Sequence, residues 1–491
     1  MMALNWSNMI VVLTTLLLAC SALATLASDT APEQLHLSLA GSNELTGSPT
    51  GMRIAWFTEG PITNSTAEYS SDPTQLSFTS TATTRQYLSG HGYHHVAFLN
   101  CSQFIGSATT AIYYRVGSSY NNSFSKVFSF SLAKFSANAT TVVSMFGDLG
   151  YEDSASRKKI IMEIESEQLQ QPPQPGQRQL LEVKDWSATF TRNKIEEIKD
   201  KIDMVFHAGD IGYADDSFLI SPFYMTYENV YNGYMNWFQN VSTQMPYMVC
   251  PGNHESECHS PACIINHKKY GLPLSNFTAF NHRWHMPSEE SGGHKNSNMW
   301  YSFNFGTVHY VSLNTETDFP GAEEERTGDS HIGNLPAGSF GKKGEYMQWL
   351  ENDLKVADQR RQSKSALGRP WIVAVGHRPY DDIVEAAKLF EKYRVDVYMA
   401  GHKHSYVRSD GGPYGNDTMY VVAGGAGCDE MKQGVEEFEG KGMPALHQVV
   451  ATSKRYSSGV MTTNATHLKW ELLDSVTGQV IDSFELSKSK Q

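Results

Sequence analysis

Thr141-Val-Val-Ser-Met-Phe146 runs directly into Gly147-Asp148-Leu149-Gly150, and the same arrangement of apolar run and polar turn recurs along the chain. Ile202-Asp-Met-Val-Phe206 leads to Gly209-Asp210-Ile211-Gly212-Tyr213, and Pro246-Tyr-Met-Val-Cys250 to Gly252-Asn253-His254-Glu255. Trp371-Ile-Val-Ala-Val375 ends in Gly376-His377, and Val395-Asp-Val-Tyr-Met399 in Gly401-His402-Lys403-His404. Short β-branched runs of this kind read as buried strands. The amphipathic stretches between them, Asn193–Lys201, Glu345–Ala357 and Val384–Tyr393, read as helices. Strands alternating with helices predict an α/β domain with a largely parallel sheet. Met299–Asn314 reads as a hairpin added to it, turning at Gly306.

In open α/β sheets ligands bind beyond the carboxyl ends of the strands, so the five turns are expected to meet at one rim. What gathers there is two Asp, one Tyr, one Asn and three His. Carboxylate and phenolate are hard donors suited to a trivalent ion, and imidazole suits zinc, iron or manganese. A carboxylate can bridge two ions, and a pair of ions clamps both sides of an in-line phosphoryl displacement. Singly, a Gly-Asp is usually a turn and a His-x-His usually a packing feature. Five strand ends each offering a ligand form a pattern that neither explains.

Working outward, residues from about 30 to 135 read as all-β. Met52–Trp56, His94–Leu99 and Ala111–Val116 are short strands separated by Gly, Ser, Asn and Pro, which predicts a small sandwich. The catalytic domain is expected to span 140–487, with a surface insertion at the Gln- and Pro-rich stretch 168–179. With 491 residues, two domains are the default.

The start of the chain reads as a secretory signal ending near residue 27: an apolar run from Met9 to Leu18, then Ala22-Leu23-Ala24. The run is short for a bilayer span, and no later stretch is long and apolar enough to make one. Sequons at Asn64, Asn100, Asn121, Asn138, Asn240, Asn276, Asn416 and Asn464 agree with an extracellular, N-glycosylated protein. A net charge of −13 argues against nucleic acid or an anionic membrane as partner. It also leaves bound metal to supply the positive charge that a phosphate needs.

Beyond Cys20, the five cysteines Cys101, Cys250, Cys258, Cys263 and Cys428 leave at least one thiol unpaired or bonded to another molecule. Cys258 and Cys263 could close a small disulfide loop. A zinc site with His259 is the rival, short of well-spaced partners.

The five blocks resemble, in order, those of the purple acid phosphatases within the calcineurin-like metallophosphoesterases: D-x-G, G-D-x-x-Y, G-N-H-[DE], V-x-x-H and G-H-x-H. The fourth departs in carrying Ala374 in place of Val. The resemblance implies a metallophosphoesterase αββα sandwich preceded by a fibronectin-III-like β-sandwich. It implies a ferric ion held by Asp148, Asp210, Tyr213 and His404, and a divalent zinc, manganese or iron ion held by Asp210, Asn253, His377 and His402. Tyrosinate on iron(III) gives that family its purple colour, so Tyr213 separates it from other metallophosphoesterases. The implied reaction is hydrolysis of phosphate monoesters by a metal-activated water.

His254, beside the ligand Asn253, is assigned to substrate binding and protonation of the leaving group, with orientation of a ligand as the alternative. Plant members carry histidines shortly after the fourth block. Here Arg378-Pro379-Tyr380-Asp381-Asp382 has none, so Arg378 or Tyr380 faces the substrate or the stretch is a structural turn. His207, His94, His95, His282 and His285 are expected to be structural. A metallophosphodiesterase on the same fold and a non-catalytic cell-surface binding protein are the competing functions. The intact ligand set weighs against the second.

Overall fold

The computed structural model describes residues 30–42, 49–106, 110–136, 139–151, 188–215, 225–295, 297–322, 337–362, 370–410, 418–428, 431 and 448–488. The expected leader, the Gln- and Pro-rich stretch and the sequons at Asn138 and Asn416 lie outside them.

Two antiparallel sheets form the N-terminal domain. One runs Glu33–Ser42, Pro49–Thr58, Tyr93–Asn100, Thr83–Arg85; the other centres on Ser65–Ser70 and Ala111–Ser118. Alternation in Ala111–Ser118 buries Ile112, Tyr114 and Val116 and leaves Ala111, Tyr113 and Arg115 half-buried, the period-2 pattern of a sandwich strand. The sheets meet through apolar side chains and through Ser65 Oγ, 3.0 Å from His95 Nδ1.

The larger domain divides its parallel strands between two sheets. In the first, Thr141–Phe146, Met204–Ala208 and Tyr247–Cys250 run parallel, and Ser457–Thr463, His467–Asp474 and Val480–Ser487 extend it antiparallel. In the second, Val308–Ser312, Trp371–Val375, Val397–Ala400 and Met419–Ala423 run parallel. One edge is the expected hairpin partner Tyr301–Phe305; at the other side the antiparallel Tyr406–Asp410 pairs with Met419–Ala423 and with the edge strand Gln448–Ser453. Phe206 of the first sheet packs against Phe303 and Tyr310 of the second, with ring centroids 6.0 and 6.1 Å away. Helices cover the outer faces. Tyr227–Ser242, for example, buries Val230, Tyr231, Tyr234, Phe238 and Val241 at helical spacing. A fully buried strand reads the same in either sheet, which is why the sequence pattern shows parallel strands without showing the division.

The two domains are joined by strand Glu33–Ser42, which lies against helix Tyr227–Ser242. Gln34 and Leu35 donate their N–H groups to Asn236 Oδ1 and Gln239 Oε1, and Ser242 Oγ donates to the Leu35 carbonyl. No helix among the described residues is long and apolar enough to cross a membrane.

Candidate metal centre

The turns after the strands are unusually tight. Asp148, Asp210, Tyr213 and His402 all have left-handed backbone, with φ of 62°, 56°, 53° and 67°. Such conformations cost non-glycine residues of order 1–3 kcal/mol each and persist only where surrounding bonds fix them. Those bonds are present. The Asp148 carboxylate accepts the His402 N–H at 2.9 Å, so the first and fifth turns hold each other. Glu255, buried, accepts the N–H groups of Asp210 at 2.9 Å, Ile211 at 2.8 Å and Gly252 at 2.7 Å, tying the second turn to the third.

All seven residues expected as ligands come together from both sheets. Asp210 Oδ2 lies 3.0 Å from His377 Nε2. Asn253 Oδ1 lies 3.1 Å from both His377 Nε2 and His402 Nδ1. Tyr213 Oη is 3.3 Å from Asp148 Oδ1, 3.4 Å from Asp210 Oδ2 and 3.1 Å from His404 Nε2, which itself stands 3.4 Å from Asp148 Oδ1. Asp210 therefore stands between a Tyr213–Asp148–His404 group and an Asn253–His377–His402 group.

The donor set fits cations. His377 Nδ1 is 2.8 Å from the Ala208 carbonyl and must donate to it, so the neutral ring turns the lone pair of Nε2 inward. That lone pair then faces a carboxylate oxygen and an amide oxygen, both acceptors. Three acceptors converging in a buried space require a positive charge between them. A proton on His377 can answer that need. Burial opposes charge on His377, but Asp210 and Asp148 override it and push the pKa up to about 9. At Tyr213, burial together with Cys428, Asp148 and Asp210 holds the phenol well above its ordinary pKa. Only a strong cation would make it a phenolate.

His254 does not join the donors. Its Nδ1 is 2.7 Å from Asp215 Oδ2, its Nε2 points into the centre 4.0 Å from Asp210 Oδ2, and Tyr213 lies against its ring with centroids 4.3 Å apart. Asp215 also receives His259 Nδ1 at 2.7 Å. Sequence reading missed Asp215, although it stands two residues beyond Tyr213, and missed the structural part of Glu255.

Cys258 and Cys263 are disulfide-bonded, so the cysteines are not zinc ligands, while Cys101, Cys250 and Cys428 are buried free thiols. Arg378 is buried, with Nε 2.8 Å from Glu316 Oε2 and Nη1 3.4 Å from His402 Nε2. Thr315 Oγ1 accepts the N–H groups of His377 and Arg378 at 3.2 and 3.0 Å, which pins the fourth turn. Tyr380 is packed against Tyr420, with ring centroids 4.9 Å apart. His207 is packed under Tyr234 and Tyr247, as expected, and His95 is held by Ser65, Thr58 and Thr84.

Calcineurin-like phosphoesterases match residues 146–406, the purple acid phosphatase N-terminal domain matches 32–132, and the iron/zinc purple acid phosphatase-like C-terminal family matches 417–483. The chain belongs to the purple acid phosphatases. Acid phosphatase A of Cryphonectria parasitica is 26% identical over 96% of each chain. An acid phosphatase of Aspergillus ficuum is 31% identical over 53% of this chain and 52% of that one. The solved structure of PhoD shares the fold, with a TM-score of 0.53 at 12% identity, covering 94% of this chain and 91% of that one. As a purple acid phosphatase the chain is a phosphatase, acting on phosphate esters.

Proposed function

We propose that this phosphatase hydrolyses phosphate monoesters, outside the cell, at a binuclear centre of one ferric and one divalent ion. The supporting observation is the meeting of three inward-facing acceptors, His377 Nε2, Asp210 Oδ2 and Asn253 Oδ1, beside a buried tyrosine within 3.4 Å of two carboxylates. Asp148, Tyr213 and His404 would hold the ferric ion, Asn253, His377 and His402 the divalent one, and Asp210 both. What the ions supply when bound is charge neutralisation at the phosphate and a water of lowered pKa.

The chain's own residues account for orientation. Glu255 and Asp148 hold the strained turns, and Ala208 fixes the tautomer of His377. His254 donates its Nε2 proton to the leaving oxygen as the P–O bond breaks, with its Nδ1–H held by Asp215. Residues 30–135 are a separate β domain carrying no part of this set. Exposed sequons at Asn64, Asn100, Asn121, Asn240 and Asn276 support secretion with N-linked glycans.

The test is the visible spectrum of purified protein, with metal analysis. A band in the middle of the visible range that disappears in Tyr213→Phe supports the ferric tyrosinate. Colourless protein with two zinc ions would keep the phosphatase and discard the iron.

A further inference from the structure

His259 has no part in the donor set, yet it is among the most constrained histidines near it. It follows disulfide-bonded Cys258 and precedes Ser260, whose Oγ accepts the Ala262 N–H at 3.3 Å and caps helix Pro261–Ile265. Its Nδ1 reaches the same oxygen, Asp215 Oδ2, that His254 Nδ1 reaches, each at 2.7 Å. Asp215 is fully buried, and its other oxygen, Oδ1, has no hydrogen-bond partner among the described residues. The two imidazoles meet edge to face, with centroids 6.4 Å apart.

One carboxylate oxygen thus accepts from two rings. Without His259, Asp215 would have a single strong partner and could rotate about its side-chain bonds to share the load between its oxygens. The second N–H removes that freedom, and the oxygen stays where His254 needs it. A Nδ1–H bond of fixed direction sets the plane of His254 and aims Nε2 at the centre. The separations of 2.7 Å are those of charge-assisted hydrogen bonds.

We infer that His259, anchored by the Cys258–Cys263 loop, is a positioning residue for leaving-group protonation, acting through Asp215 on His254. The inference rests on the role proposed for His254. It concerns a residue outside the five family blocks.

The experiment compares His259→Ala and His259→Asn in the full metal-loaded enzyme, with p-nitrophenyl phosphate and glycerol 2-phosphate as substrates. An alkoxide needs a proton on departure far more than nitrophenolate does. His259→Ala is expected to lower kcat on glycerol 2-phosphate by about tenfold or more, and on p-nitrophenyl phosphate by much less, with KM and metal content unchanged. An asparagine amide places an N–H near the position of Nδ1, so His259→Asn should recover most of the loss. Equal losses on both substrates without recovery in His259→Asn would mean a merely structural role and overturn the inference. His254→Ala is measured in parallel. If it leaves turnover on both substrates unchanged, the reading of His254 fails and the inference with it. A loss in His254→Ala with none in His259→Ala overturns the inference alone.

Discussion

Glu255 takes the backbone N–H of Asp210 at 2.9 Å, so the carboxylate shared by both halves of the centre hangs from a second, buried carboxylate. Burial and the charge of Asp210 push Glu255 up to about 8, while the N–H groups of Ile211 and Gly252 pull it back. Its purpose is visible in the backbone: three N–H groups end on one side chain, and one of them belongs to a residue at φ 56°.

Glu255→Ala should therefore injure the centre without touching a ligand. Each buried N–H left without an acceptor costs roughly 1–3 kcal/mol, and the left-handed turn at Asp210 loses its restraint. Metal affinity is expected to fall by about 10–100-fold. Metal retained after dialysis against a graded chelator measures this, and Glu255→Gln, which keeps an acceptor oxygen, should lose less.

Gly252 tests the closeness of the turns by steric means alone. A Cβ built there would lie 2.2 Å from Asp210 Oδ1 and 2.6 Å from the Asp210 nitrogen. Its backbone, at φ −117°, is open to any residue, so strain from φ plays no part. Gly252→Ala must displace the Asp210 carboxylate, and the expected outcome is a folded protein with a loss of about 100-fold or more in kcat/KM. Circular dichroism together with turnover checks both halves of that statement.

Much of this is legible in the sequence, and the reason is local. A strand followed by Gly and a short polar side chain places that side chain within a few residues of its own apolar run, so the meeting of Asp148, Asp210, Asn253, His377, His402 and His404 at one place is readable from the strand ends. Tyr213 follows Asp210 at fixed spacing in the same turn. Asp215 and His259 are different. Their meaning lies in a contact between turns 44 residues apart in sequence, and nothing in either segment alone names the other. The C-terminal strands Ser457–Thr463, His467–Asp474 and Val480–Ser487 escaped for a related reason: they add antiparallel to a parallel core, and alternation alone does not say which strand they join.

Between the domains, Arg283 Nη2 lies 2.7 Å from Glu228 Oε2, while Tyr87 of the β domain accepts from Arg283 Nε at 2.8 Å and donates to Glu228 at 2.8 Å. Gln34, also from the β domain, accepts from Arg283 Nη1 at 3.2 Å. Both charges are buried. Arg283→Ala leaves Glu228 buried without its cation and is expected to cost about 3–5 kcal/mol. The double variant Arg283→Met with Glu228→Leu removes both charges and should recover a large part. Urea unfolding of the three proteins decides it; a double variant no more stable than Arg283→Ala would mean that the charge stranded on Glu228 is not what the single variant loses.

His95 gives the fold a dependence on acidity that the enzyme's chemistry does not require. It sits between the two sheets of the β domain, fully buried, with its nitrogens 2.9 Å from Thr58 Oγ1 and 3.0 Å from Ser65 Oγ. Burial lowers its pKa to about 4, whereas in the unfolded chain it returns to about 6.5. Between those values the unfolded chain binds a proton that the native protein refuses. Stability contributed by this residue is therefore full above about pH 6.5 and falls as pH drops toward 4, by about 1.4 kcal/mol per pH unit, or ~3 kcal/mol across the window. His95→Gln keeps hydrogen-bonding capacity and removes the titration. Its denaturant midpoint should start below that of the parent at pH 7 and fall less steeply between pH 6.5 and 4.5. Parallel slopes for the two proteins would show that the acid sensitivity of the fold lies elsewhere.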